Sequence, residues 1–132
     1  MEFTLERIFK APPDVLYNGW LNSQVHSAMT GGVCRISPHE NAEFSAWDEY
    51  IQGKNLTLVP GSFIKQSWRT VEFADDQEDS ILELHFIPEG RIQTRLVLRH
   101  SNLTDADFHY KQGWIESYFE PMEEYFSKTD PG

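Results

Sequence analysis

The chain has 132 residues, 39% of them apolar and 14% aromatic, with 11 lysines and arginines against 21 aspartates and glutamates and a net charge of -10. This length predicts one domain over residues 1–132, with an ordered core of about 2–127 and a C-terminal tail of 128–132, large enough to bury a core without staples. The acidic balance argues against nucleic acid, whose binding needs cations to displace phosphate counterions, and against an anionic membrane surface; it suits solubility instead.

From Met1 to Lys10, Phe3, Leu5 and Phe9 mark one face and Thr4, Glu6 and Lys10 the other, the period of a strand, with Arg7 on the apolar side and Ile8 on the polar side. Pro12 and Pro13 stop that strand and open a helix carrying Val15, Leu16 and Trp20. Asn22 or Ser23 caps a second short helix with Val25 and Met29, ended by Gly31-Gly32. Val33 to Glu43 is poorly patterned and reads as a loop with at most one short strand. Strands follow at hairpin spacing: Ala42–Trp47, turned by Asp48-Glu49; Tyr50–Val59, with Gly53 as a bulge candidate; and, after the Pro60-Gly61 turn, Ser62–Val71 with Ile64, Gln66 and Trp68 on one face. The acidic run Asp75, Asp76, Glu78 and Asp79 is a solvated loop without the calcium-loop pattern. Ser80–Ile87 alternates Leu82, Leu84 and Phe86 with Glu83 and His85. After Pro88-Glu89-Gly90, Arg91–Ser101 sets Ile92, Thr94, Leu96, Leu98 and His100 against Arg91, Gln93, Arg95 and Arg99.

From about Asp105 to Lys128 the period becomes helical. Thr104 is placed to cap, Trp114, Tyr118 and Met122 fall at i, i+4, i+8, and Ile115, Phe119 and Phe126 widen the stripe. Pro121 removes the amide bond back to Ser117, so a bend is expected there. A helix with so broad an apolar stripe must bury it on the sheet's apolar face. The expected fold is α+β, a curved antiparallel sheet around a long C-terminal helix, in the order β-α-α-β(4–5)-α. Its outer face carries Lys65, Arg69, Glu83, His85, Arg91, Arg95 and Arg99, with cations flanking a central acid.

Cys34 is the only cysteine, which rules out an intrachain disulfide and a multi-cysteine zinc site. The longest apolar runs are too short to cross a bilayer, and Met1 onward lacks a charged-then-apolar leader, so the expected location is cytoplasmic. The sequons Asn55-Leu-Thr57 and Asn102-Leu-Thr104 then carry no meaning.

The order of these segments resembles the SRPBCC or START-like superfamily, and within it the homologues of the activator of heat-shock-protein-90 ATPase. The resemblance is carried by Phe3-Thr-Leu-Glu-Arg-Ile-Phe-Lys-Ala-Pro12, by Leu16-Tyr17 through Trp20, and by His26-Ser-Ala-Met-Thr-Gly31. It continues through Phe44-Ser-Ala-Trp47, Leu58-Val-Pro-Gly61, Trp68-Arg69, the Thr94, Leu96, Leu98, His100 alternation, and Gln112-Gly113-Trp114. It implies the helix-grip (birch-pollen-allergen-like) fold, and it matches the C-terminal domain of the eukaryotic activators, not their separate N-terminal domain.

Three functional readings follow. The first is a non-enzymatic domain that binds a small apolar or amphipathic molecule in a cavity between the sheet and the C-terminal helix. Its lining would be Trp20, Phe44, Gln66, Trp68, Leu84, Phe86, Thr94, Leu96, Leu98, His100, Trp114, Tyr118, Phe119 and Met122. Gln66, Thr94, His100 and Tyr118 would be the few polar groups that orient a ligand, and Met122 would let the pocket adapt. The second, implied by the resemblance alone, is a co-chaperone-like protein-interaction module. The third is an enzyme. It requires acids, bases or a metal converging in the cavity, where the sequence offers only His100, His109, Arg7 and Glu116; a His100–His109 pair is conceivable at the cavity rim. No H-E-x-x-H, G-x-S-x-G or glycine-rich phosphate loop occurs, so no cofactor and no metal is expected, and Cys34 has no base at a readable position.

Overall fold

The computed structural model describes residues 1–128; residues 129–132 of the expected tail lie outside the described residues. Strand β1 (Phe3–Phe9) buries Phe3 and Phe9 and half-buries Leu5 and Arg7, with Thr4, Glu6 and Ile8 turned outward, as its alternation dictates. Pro12 sits at the N-cap of α1 (Pro13–Trp20), where a missing amide costs nothing, and Leu16, Tyr17 and Trp20 face inward. Asn22 caps α2 (Ser23–Thr30) by accepting from the Val25 amide at 2.9 Å, and Gly31 ends it at φ 90°, a conformation that favours glycine.

Five more strands follow: β2 (Glu43–Ala46), β3 (Ile51–Val59), β4 (Phe63–Thr70), β5 (Ser80–Glu89) and β6 (Gln93–Ser101). All pairings are antiparallel, and the sheet runs β1-β6-β5-β4-β3-β2, so the first strand lies beside the last and Phe3 faces His100 in register. The poorly patterned stretch after α2 contributes only the isolated bridge Arg35–Ser45. Two details differ from expectation. The irregularity in β3 falls between Asn55 and Thr57 and not at Gly53. Gly53 instead answers a close approach, since a Cβ there would lie 1.9 Å from the Ser67 carbonyl oxygen and 2.6 Å from the Phe44 ring. Ile92 falls in the turn before β6 and is 62% exposed, so the inner face of that strand begins at Thr94.

Thr104 and Asp107 form a capping box around a short 3-10 turn, with the Asp107 carboxylate accepting from both the amide and the hydroxyl of Thr104 at 2.9 Å. The C-terminal helix then runs as α3 (Tyr110–Trp114), a π-helical turn (Ile115–Phe119) and α4 (Glu120–Lys128). The disturbance expected at Pro121 is thus a wide turn just before the proline; helical backbone continues past it. Tyr110, Trp114, Tyr118, Met122 and Phe126 are all buried. Their four-residue spacing would drift about 40° per step around an ideal 3.6-residue helix. The π turn, with its i→i+5 bonding, absorbs that drift and keeps all five on the side facing the sheet.

The core lies between this helix, α1 and the inner sheet face, where Ile64, Leu82, Leu84, Leu96, Leu98 and Met122 are completely buried. Burial of each such side chain contributes on the order of 2 kcal/mol. On the outer face Arg99 bridges Glu2 (2.9 Å) and Glu83 (2.7 Å), while Arg95 bridges Glu6 (3.4 Å) and Glu89 (3.5 Å). The expected cation–acid alternation is therefore present and internally paired. These exposed pairs are worth a few tenths of a kcal/mol to about 1 kcal/mol each.

Candidate functional site

The residues nominated from the sequence divide into two groups. Most of them pack into solid core. Leu84, Thr94, Leu96, Leu98, His100 and Met122 have no exposed surface, and Trp20, Gln66, Phe86 and Phe119 have almost none. Phe119 meets Phe9 edge-on at 5.9 Å, Phe86 meets Tyr17 at 5.6 Å, and Phe44 presses against Gly53. Thr94 donates to the Ala11 carbonyl at 2.7 Å. Gln66 donates to the Asn55 side-chain oxygen at 2.8 Å and Asn55 donates to the Ser37 and His39 carbonyls, while the Trp20 indole points at the Gln66 oxygen at 3.5 Å. These polar groups satisfy one another.

His100 belongs to the same packed layer. Its Nδ1 accepts from the Trp114 indole at 3.0 Å and its Nε2 lies 2.7 Å from the Ser80 hydroxyl, which donates onward to the Trp68 carbonyl at 2.7 Å. Burial depresses its pKa to about 3, so the ring is neutral. With both nitrogens engaged it makes no pair with His109, whose Nδ1 lies 3.1 Å from the Ala106 carbonyl. His26 is likewise held neutral by burial, with a pKa of about 4. Its Nδ1 donates to the Trp20 carbonyl at 2.8 Å and its Nε2 has no partner among the described residues. Burial raises the Cys34 thiol to about 12, which leaves it inert as a nucleophile.

The remaining nominees, Trp68, Trp114 and Tyr118, line an open pocket of about 420 Å³. It lies at one end of the grip, between the β2–β3 turn and the first two turns of the C-terminal helix. Its other walls are Trp47, Tyr50 and Ile51 from the turn and the start of β3, and His109, Tyr110, Gly113 and Ser117 from the helix region. Trp47, Asp48 and Glu49 all adopt positive φ (51°, 57° and 74°), and this left-handed run swings the Trp47 indole over the site. A Cβ on Gly32 would come within 2.4 Å of that indole, so glycine there makes room for it. The Tyr50 hydroxyl donates to Glu72, and burial followed by that carboxylate raises the hydroxyl's pKa. Burial alone would raise the Asp107 carboxyl too, but bonds from Thr104 and Gln77 outweigh it and keep it low.

Of the pocket walls, Trp47 stood out in the sequence as an aromatic at the end of a strand and within the family resemblance, and His109 only as a possible neighbour of His100. Tyr110 was legible in principle, four residues before Trp114. Nothing in the sequence marked Tyr50, Ile51 or Ser117. Chemically the site offers ring faces, a few hydroxyls and one imidazole, with no nucleophile set against a base. Among the described residues no cluster of three or more histidine, cysteine or acidic side chains is placed to hold a metal, and no helix is long and apolar enough to cross a membrane.

A curved six-stranded antiparallel sheet gripping a C-terminal helix defines the chain as an α+β helix-grip domain. It belongs to the family of the activator of Hsp90 ATPase homolog 1-like protein, whose model matches residues 10–127. An activator of 90 kDa heat shock protein ATPase homolog from Dictyostelium discoideum is 27% identical over 124 residues. That match takes in 93% of this chain but only 32% of the relative, so the chain spans about a third of the curated protein it matches. The crystal structure of an HSP90 activator from Plasmodium falciparum superposes with a TM-score of 0.88 at 19% identity, covering 96% of each chain. The Aha1 dimer from Colwellia psychrerythraea superposes at 0.81 and 12%, covering 100% of this chain and 99% of that one.

Proposed function

We propose that this domain binds a small apolar or amphipathic molecule, without transforming it, in the pocket between the Trp47–Ile51 turn and the start of the C-terminal helix. The observation that carries the reading is the pocket wall: a space of about 420 Å³ in which six of the ten lining residues are tryptophan or tyrosine. That volume is within the roughly 300–1,000 Å³ of small-molecule sites, and an aromatic lining with a few hydroxyls is their usual chemistry. Of the residues nominated from the sequence, Trp68, Trp114 and Tyr118 remain contact residues in this reading; the others support them from the core. The test is a thermal-shift screen of apolar and amphipathic compounds, in which a ligand at 100 times its Kd adds about 2.7 kcal/mol. Gly113 provides the control. A Cβ there meets nothing within 4 Å, so Gly113→Leu projects a side chain into the opening without a clash. Hits that shift the natural protein and the variant equally refute the proposal.

A second reading, a co-chaperone-like interaction module, is favoured by the family match and by the Dictyostelium relative described as a heat-shock-protein ATPase activator. In it the chain binds an Hsp90-type chaperone through its surface. Titration against the chaperone of the same cell, read as binding and as ATPase rate, decides it: no binding and an unchanged rate remove this reading.

A further inference from the structure

We propose that the pocket recognises the quaternary or alkylated ammonium group of its ligand, an inference that rests on the pocket reading above. The first observation is shape. Trp47, Tyr50, Trp68, Tyr110, Trp114 and Tyr118 line the space. Their planes meet at varied angles: Trp68 and Tyr110 cross at 82° with centroids 5.0 Å apart, Trp47 and Tyr118 at 77° and 6.3 Å, Trp114 and Tyr118 at 42° and 4.4 Å, and Trp68 and Trp114 at 39° and 5.8 Å. A flat aromatic ligand is best held between parallel faces. Rings set at varied angles, none of these pairs parallel, suit a compact, round group better than a flat one, and ring faces attract a cation strongly once water is excluded.

The second observation is charge. Among the described residues no lysine or arginine lines the pocket. The nearby cations are held elsewhere, with Arg69 bonded to Asp79 at 2.7 Å and Lys111 lying over the Phe108 ring at 5.7 Å. Carboxylates act on two of the phenols instead. Glu72 accepts from the Tyr50 hydroxyl, and Glu72 and Asp107 both add to the burial that raises the Tyr110 hydroxyl's pKa. The third observation is how Trp47 is held: one edge of its indole packs on Gly32, and its Nε1 is buried on the side of the Tyr118 hydroxyl without a well-formed hydrogen bond, so the ring is fixed as a wall of the pocket.

Choline and 3,3-dimethylbutan-1-ol have the same shape and the same hydroxyl and differ in the charge at one atom. Titrated into the protein and read by tryptophan fluorescence and indole N–H shifts, choline is expected to bind at least tenfold tighter. Trp47→Leu and Tyr50→Leu, each checked for folding by circular dichroism, should bring that ratio close to one. Equal or tighter binding of the alcohol, or binding of indole without choline, overturns the ammonium inference and leaves the pocket reading standing. Failure of choline, the alcohol and indole alike overturns both. Sedimentation with phosphatidylcholine vesicles, competed by choline, identifies a lipid headgroup as the source of the cation; choline binding without sedimentation identifies a free small molecule.

Discussion

The Trp114 indole donates to His100 Nδ1 at 3.0 Å, tying the helix to the last strand through the most buried imidazole of the sheet. Because an indole can only donate, Nδ1 must be bare and the single proton of the neutral ring sits on Nε2. The Nε2 proton goes to Ser80 Oγ, whose own proton goes to the Trp68 carbonyl. Every donor in this relay has one acceptor, and a second proton on His100 would set two donors against each other.

The protein should lose stability in mild acid for this reason. Burial lowers the folded pKa of His100 to about 3 and of His26 to about 4, against about 6.5 for an unfolded histidine. The unfolded chain therefore takes up protons that the folded one refuses. Their contribution is fully present above pH 6.5 and is lost as pH falls below it, by about 2 kcal/mol per histidine at pH 5. Denaturant unfolding at pH 7.5 and pH 5 measures the loss. His100→Gln keeps an acceptor for Trp114 and a donor for Ser80 and should remove about half of it; equal stability at both pH values would refute the account.

Gly53→Ala should destabilise by about 3 kcal/mol, at the upper end of overpacking. The added methyl has to displace either the Ser67 carbonyl, 1.9 Å away and fixed in the β3–β4 ladder, or the buried Phe44 ring. Chemical unfolding gives the number, and a change under 0.5 kcal/mol would mean the two strands separate more easily than their register implies.

Gln66→Leu should cost more than its volume suggests. It leaves the Asn55 side-chain oxygen without its donor and the Trp20 indole without its acceptor, both buried, at roughly 1–3 kcal/mol for each orphaned group. Gln66→Leu combined with Asn55→Leu should recover part of the loss in a double-mutant cycle.

Gly113→Ala should stabilise by about 0.5–1 kcal/mol, since it replaces glycine within helix α3 where a methyl meets open space. Thermal unfolding would show a rise of a few degrees; a fall would mean that the helix backbone there is not helical in solution.

Much of this fold was written plainly in the residues. Strict alternation in Ser80–Glu89 and Gln93–Ser101 gave strands with one buried face, and Pro13, Asn22 and Gly31 punctuated two helices. The π turn was also encoded, in the four-residue repeat from Tyr110 to Phe126, but that repeat was read as an ordinary stripe because i, i+4 pairs fit an α-helix over short distances. The site was less legible. Inward-facing residues of a curved sheet are easy to list, yet pattern alone does not say which of them meet ligand and which meet one another. His100, Thr94 and Gln66 found partners within the protein, and the open space moved to the end of the grip. Trp47 was hidden for a different reason: it reaches the pocket through a backbone conformation that no residue of its turn advertises.

That turn has a consequence for how the protein can be altered. Three consecutive non-glycine residues, one of them tryptophan, hold left-handed conformations that each cost about 1 kcal/mol or more. A glycine in place of Asp48 or Glu49 would relieve that cost, so a more heat-resistant protein is one substitution away. Any such gain comes with a hinge beside Trp47. The rigidity of that indole and the resilience of the whole chain are therefore set against each other at a single corner.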